Sequence, residues 1–167
     1  MLFTENHDLP RTIDTFGKES FQPFTALCFL LSGLPLIYAG QENGAVNLPA
    51  LFEKDPLDWE NINEEIHRFY RSLSHLYQQY PLLKKGTVDF IESDNPFILI
   101  LKNEHQNKTL YSFLNFSGEK QTAHCPNLQD TYGTDQLSGQ VFDGAEMDFN
   151  PWQVQIVDLV DGDFLVI

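Results

Sequence analysis

The sequence predicts an α+β chain in two parts, a segment of βα units followed by an antiparallel β-sandwich of Greek-key type. Three observations carry this. Two apolar runs, Leu2-Phe3 and Leu34 to Ala39, each lead into a polar block, and a helical stretch separates them. A single amphipathic pattern of period 3.6 then runs from Glu64 to Tyr80. Beyond Leu83-Lys84-Lys85-Gly86 the apolar period becomes strand-like, with runs rich in β-branched and aromatic residues separated by turn formers. The boundary between the parts falls at residues 83 and 84, giving parts 1–83 and 84–167.

Leu2-Phe3 reads as the end of a buried strand that delivers the polar residues Thr4 to Asp8 at its carboxyl end, and Pro10 prevents its continuation. Within that block, Asn6-His7-Asp8 sets an imidazole directly beside a carboxylate, two groups able to hydrogen-bond a polyhydroxylated ligand. Taken alone, the same residues fit a cap, with Asn6 or Asp8 accepting backbone N–H groups and His7 solvated. Thr12 to Ser20 is mixed, with a turn at Phe16-Gly17-Lys18. Phe21 to Leu31 follows as a helix, with Phe24, Leu27, Cys28 and Leu31 on one face, Pro23 in its first turn and Gly33 ending it. Leu34 to Ala39 lacks polar alternation, as a strand covered on both faces does, and it runs into Gly40-Gln41-Glu42-Asn43-Gly44. Glu42 is expected to fix this loop rather than to catalyse. Asp55, Asp58 and Glu60 lie in a charged loop, and Trp59 is expected to anchor a core.

The next helix is capped by Asn61 or Asn63, carries Glu64 and Glu65 in its first turn and is stopped by Pro81. Ile66, Phe69, Tyr70, Leu73, Leu76, Tyr77 and Tyr80 form its apolar face, and His67 and His75 flank that face as surface groups. In the second part, Val88 to Glu92, Phe97 to Lys102, Leu110 to Phe116 and Val154 to Leu159 read as strands. Turns fall at Asp94-Asn95-Pro96, His105-Gln106-Asn107 and Ser117-Gly118-Glu119. Gln129 to Ala145 is polar and turn-rich, without an ordered strand pattern. Asp143, Glu146 and Asp148 read as surface charge.

The chain has 167 residues, 42% of them hydrophobic and 13% aromatic, with 14 phenylalanines, enough for a real core. The formal net charge of -14 sets it against phosphate backbones and anionic bilayers, which excludes nucleic acid and a membrane surface as partners, while neutral sugars are compatible with it. No apolar run reaches bilayer length. Of the two cysteines, Cys28 in its apolar helix reads as an inert buried thiol rather than half of a disulfide with Cys125. Cys and His show no metal-ligand spacing.

Phe3-Thr4-Glu5-Asn6-His7-Asp8 closely resembles the Phe-x-x-Asn-His-Asp signature of the α-amylase family, glycoside hydrolase family 13. Gly33 to Gly44 resembles the block around that family's eighth barrel strand, Gly-x-Pro-x-x-Tyr-x-Gly-x-Glu-x-Gly, in the right order and at the right distance. Lys54-Asp55-Pro56-Leu57-Asp58-Trp59 and the Tyr111 to Ser117 strand are similar to later family segments, more loosely. The resemblance implies the last βα units of a TIM-type (β/α)8 barrel followed by the family's terminal β-sandwich, with a start at Met1 that looks like a cut.

The resemblance further implies that Asp8 is the third carboxylate of a retaining glycosidase, the transition-state stabiliser, with His7, Asn6 and Arg11 as substrate-binding residues. The nucleophilic Asp and the acid/base Glu belong to earlier barrel strands, and neither region occurs here. The expected ligand is an α-glucan or malto-oligosaccharide, and Asp8-Leu9-Pro10-Arg11 is similar to the oligosaccharide-acting members. The isolated chain is expected to be inactive, with no cofactor of its own; calcium, common in the full-length family, is assigned to no residue here. The alternative is a non-catalytic carbohydrate-binding or interaction module, in which aromatics such as Tyr132 or Trp152 face solvent, or a vestigial amylase-like protein. Apolar surface on Leu27–Leu31 and Leu34–Ala39, lacking the rest of a barrel, is expected to drive self-association.

Overall fold

The computed structural model describes residues 1–48, 50, 52–129, 131–144 and 147–159. Asp130 and Ala145 of the polar stretch named above, and Glu146, lie outside the described residues. The two apolar runs at the amino-terminal end meet as a short parallel pair: Leu2 N donates to Leu34 O (2.9 Å) and Leu36 N to Leu2 O (2.8 Å). Parallel pairing requires a crossover, and helices α1 (Thr12–Phe16) and α2 (Phe21–Leu30) supply it. The short helix α1 lies where the sequence shows only mixed character. It is one turn closed by Gly17, whose φ of 91° suits glycine alone among common residues.

Helix α2 stops at Leu30, with Leu31 extended, before Gly33 is reached. Its buried residues are Phe21, Pro23, Thr25, Ala26, Phe29 and Leu30, while the expected stripe of Phe24, Leu27, Cys28 and Leu31 lies half-buried. The helix is apolar nearly all round, so its period alone could not choose the inner face. Helix α3 (Glu64–Gln79) matches its sequence pattern closely. Asn63 Oδ1 accepts from the N–H groups of Glu65 and Ile66, and Ile66, Tyr70, Leu73 and Leu76 are buried. A short helix α4 (Leu82–Lys85) follows.

Six strands form one antiparallel sheet in the order β1-β2-β3-β8-β5-β6: Thr87–Ile91, Ile98–His105, Lys108–Asn115, Val154–Leu159, Tyr132–Asp135 and Val141–Asp143. The β2–β3 pair runs in register from Ile98↔Asn115 to His105↔Lys108, closed by Gln106-Asn107 with Gln106 at φ 56°. Strands β4 (Gln121–Ala123) and β7 (Met147–Phe149) form a separate ribbon. These four short strands (β4 to β7) lie in or beside the stretch whose pattern the sequence left unordered. Each spans only 3 or 4 residues, too short for alternation to show.

The central strands β2, β3 and β8 of the large sheet are covered on both faces. Period-2 alternation sends Ile98, Ile100, Phe113 and Val157 toward the β4–β7 ribbon, where Ala123, Met147 and Phe149 meet them. The opposite face, with Leu101, Leu110, Leu114 and Ile156, packs against Phe29 and Leu30 of α2 and Leu73 and Leu76 of α3. The helical part and the sheet therefore share one core. The sequence reading expects much of the Leu27–Leu31 and Leu34–Ala39 surface to lack a partner; the sheet and α3 together bury Phe29 and Leu30, Leu27, Cys28, Leu31 and Ile37 pack partly against that core, and Leu34 stays 61% exposed. Cys28 and Cys125 are free thiols. Burial pushes the Cys28 thiol up to about 11, which keeps it neutral and inert.

Candidate functional site

The polar block after Leu2 is built around a turn held by its own side chain. Asn6 Oδ1 accepts from the backbone N–H groups of Asp8 (2.8 Å) and Leu9 (3.0 Å), so the residues between are lifted away from the protein body. His7 and Asp8 are accordingly exposed, at 61% and 69% of their side-chain surface, and His7 Nε2 lies 3.2 Å from Asp8 Oδ2. An imidazole and a carboxylate presented side by side to solvent can together grip adjacent hydroxyls of one ligand. Asn6 thus fulfils the capping role its residue type allows, and in doing so it positions the other two.

Beneath the turn lies an ion pair that the sequence reading did not single out. Arg11 and Glu5 are 2% and 1% exposed, with Arg11 Nη1 donating to Glu5 Oε1 at 2.7 Å. A buried guanidinium needs every donor placed. Arg11 Nη1 also reaches the carbonyl of Ala39 (3.0 Å), Nε reaches that of Asn47 (2.9 Å), and the guanidinium lies 5.2 Å from the Tyr38 ring centroid. Glu5 Oε2 accepts from Thr12 N at 2.5 Å, at the start of α1. Arg11 therefore faces the protein and ties the first polar block to the second. The only signal for this in the sequence is a pair of opposite charges flanking Asn6-His7-Asp8, and nothing in their spacing shows that both are inward.

The second block is fixed by its glycines and by Gln41. Gly40 (φ 90°) and Gly44 (φ 75°) bracket a single 3-10 turn, Gln41–Asn43. The φ of Gly40 favours glycine, and a Cβ there would also fall 2.7 Å from Leu57 Cδ2 and push that side chain aside. Gln41 Nε2 donates to Thr4 Oγ1 (2.6 Å) and Thr12 Oγ1 (2.9 Å), while its Oε1 accepts from Tyr38 N (3.0 Å). The loop-fixing role expected of Glu42 belongs to its neighbour. Glu42 Oε2 is buried without a hydrogen-bond partner among the described residues.

The remaining carboxylates of the sequence reading stand apart from this constellation. Asp58 closes its own loop, accepting from Glu60 N, Asn61 N and Asn61 Nδ2, and these hydrogen bonds hold its carboxyl below the usual range. Asp55 accepts from Ala50 N, and Asp148 from Thr122 Oγ1. Trp59, expected in a core, is 58% exposed, because the loop that carries it has no element above it among the described residues. Tyr132 is 50% exposed, whereas Trp152 is half-buried over Gly118. His67 Nδ1 lies 3.1 Å from Asn43 Oδ1. Among the described residues no group of three or more His, Cys, Asp or Glu side chains is placed to hold a metal ion. No helix among them is long and apolar enough to cross a membrane.

Comparison with known proteins follows the same lines. The α-amylase catalytic-domain family matches residues 1–124. The α-amylase MalA of Haloarcula japonica is 30% identical over 146 residues, covering 84% of this chain and 21% of MalA. A probable oligo-1,6-glucosidase of Bacillus subtilis (oligo-1,6-glucosidase 2) is 24% identical over 237 residues, covering 93% of this chain and 41% of its own length. The crystal structure of the maltogenic α-amylase AmyB from Thermotoga neapolitana superposes with a TM-score of 0.82 at 22% identity, over 95% of this chain and 41% of AmyB, which establishes a common fold. The chain thus spans well under half the length of these relatives. With both polar blocks inside the matched segment, the chain belongs to the α-amylase family, glycoside hydrolase family 13.

Proposed function

We propose that this chain is the carboxyl-terminal portion of a retaining glycoside hydrolase acting on α-glucans or malto-oligosaccharides. In this reading, residues 1–83 are the last βα units of the catalytic (β/α)8 barrel and residues 84–167 its Greek-key terminal sandwich. The observation that carries it is the exposed His7–Asp8 pair, lifted by Asn6 from a strand end whose base is locked by Glu5 and Arg11. Asp8 is the transition-state stabiliser: its carboxylate hydrogen-bonds sugar hydroxyls and gains strength as the ring flattens toward the oxocarbenium ion. His7 holds the same sugar, while Asn6 and Arg11 serve binding by shaping the loop. The names of relatives that act on α-glucans and 1,6-linked glucosides support the substrate class.

Retaining hydrolysis needs a nucleophile and an acid/base about 5 Å apart across the scissile bond. Asp8 fills neither role, and Asp55, Asp58 and Asp148 are engaged in local loop and strand hydrogen bonds. The isolated chain is therefore inactive on glycosides, takes no cofactor, and self-associates through the open surface around Phe3 and Leu34. The test is the reading frame upstream of the Met1 codon. A frame encoding a strand that ends in a nucleophilic Asp, followed by one that ends in an acid Glu, supports this reading. A stop codon directly upstream contradicts it and favours a non-catalytic sugar-binding module.

A further inference from the structure

A cleft of about 620 Å³ opens at the other end of the fold, between the carboxyl end of α3, the tip of the β2–β3 hairpin and the turn after β5. Its lining differs from the rest of a chain that carries 24 acidic side chains: no Asp or Glu lines it among the described residues. The polar side chains there are mainly carboxamides, Gln79, Gln106, Asn107 and Gln136, joined by His105 and Lys108. Tyr80, Pro81 and Leu82 supply apolar surface beside them. Tyr80 is fixed, its hydroxyl donating to Asp158 Oδ2 at 2.9 Å and lying 3.1 Å from Gln136 Oε1. Burial pushes that phenol up to about 12, with the Asp158 hydrogen bond acting in the same direction, so it stays protonated and the Asp158 carboxylate stays engaged.

Gln79, Gln106 and Asn107 make no side-chain hydrogen bond to a protein group among the described residues, so their amides are available to a ligand. A carboxamide offers donors and an acceptor together without charge, which matches a hydroxyl group that is itself both. Apolar surface framed by uncharged amides is the chemistry of a sugar ring, with its apolar C–H face and polar rim, rather than of a metal ion or a purely anionic group. We propose that this cleft is a second carbohydrate-binding site, distinct from the His7–Asp8 turn, that takes a neutral oligosaccharide. The β2–β3 hairpin tip brings Gln106 and Asn107 together at the rim of the cleft, beside His105 and Lys108. The choice of an α-glucan as the probe rests on the function proposed above; the site itself does not.

The test is an amide-resolved NMR titration of the 167-residue chain with maltohexaose, and separately with cellohexaose and with inorganic phosphate. The expected result is saturable shifts at residues 79–82, 105–108 and 136 with maltohexaose. A Gln106→Gly/Asn107→Ala variant keeps the unfolding midpoint but binds about tenfold more weakly, as expected for two lost neutral hydrogen bonds. Cellohexaose shifting the same residues equally supports the site while counting against the α-glucan reading. Shifts confined to residues 6–8 leave that reading standing and overturn the second site. Shifts in the cleft from phosphate alone, or none from any probe, also overturn it.

Discussion

Asn103 of β2 donates its side-chain Nδ2 to the carbonyl oxygen of Leu30 at 2.7 Å, across 73 residues of sequence. Both residues are fully buried, and Leu30 closes helix α2, whose last carbonyls have no intrahelical partner. A sheet residue thus caps the helix that crosses between the two polar blocks. The join between the helical part and the sheet is specific as well as apolar.

Replacing Asn103 by Ala leaves the Leu30 carbonyl buried and unpaired. The expected loss is about 1–3 kcal/mol of stability, the cost of one such group. Urea unfolding of the purified variant checks this, and the loss is expected in one cooperative transition because helices and sheet share a core. Two separated transitions would show that the parts fold independently.

Removing one partner of the Glu5–Arg11 pair leaves a buried charge uncompensated. Glu5→Gln or Arg11→Ala is expected to cost about 3–5 kcal/mol. The double variant Glu5→Gln/Arg11→Met is expected to lose much less than the sum, because no charge is stranded. Hydrogen exchange locates the effect: protection falls first at residues 12, 38 and 41, which the network holds together.

The Cys28 thiol is raised from its model-compound value of 9.0 to about 11 in the folded chain. Its folded value exceeds the unfolded one, so its contribution to stability is complete below about pH 9 and is lost as pH rises through about 11. Tyr70, Tyr80 and Cys125 are shifted upward as well, chiefly by burial, and act in the same direction. Denaturant titrations on either side of pH 9 are expected to show falling stability, and Cys28→Ala is expected to flatten that fall without abolishing it.

Phe3 and Leu34, 38% and 61% exposed, flank the parallel pair formed by the two apolar runs. Sedimentation velocity over a concentration series is expected to show self-association, weakened by Leu34→Ser. A clean monomer at high concentration contradicts this.

Much of the architecture was legible because it rests on local signals. Helix α3 has a wide contrast between its faces and an Asn cap, and the long strands β2, β3 and β8 carry enough residues to declare themselves. Strands β4 to β7 are short and owe their existence to tertiary pairing, for instance Thr122↔Asp148 and Gly133↔Phe142, which no local pattern announces. The inner face of α2 was hidden for a different reason: the helix is apolar nearly all round, and its packing against α3 and the sheet decides which side is buried. At the site, the motif spacing marked His7 and Asp8, but the buried pairing of Glu5 with Arg11 depends on the direction of two side chains across a turn. In the second block the loop is fixed by the amide of Gln41 rather than by Glu42, because an amide both donates and accepts, and nothing in the spacing of the block distinguishes the two.

Whether Asp8 supports catalysis without supplying it, as proposed, is decided by reducing-sugar release from maltohexaose. The 167-residue chain is expected to release none, as is its Asp8→Asn variant. The chain extended by its upstream reading frame is expected to be active, with Asp8→Asn lowering kcat by about 10²–10³-fold. Release by the isolated chain that Asp8→Asn abolishes would contradict the claim, since the two carboxylates required for hydrolysis would then have to lie within these residues.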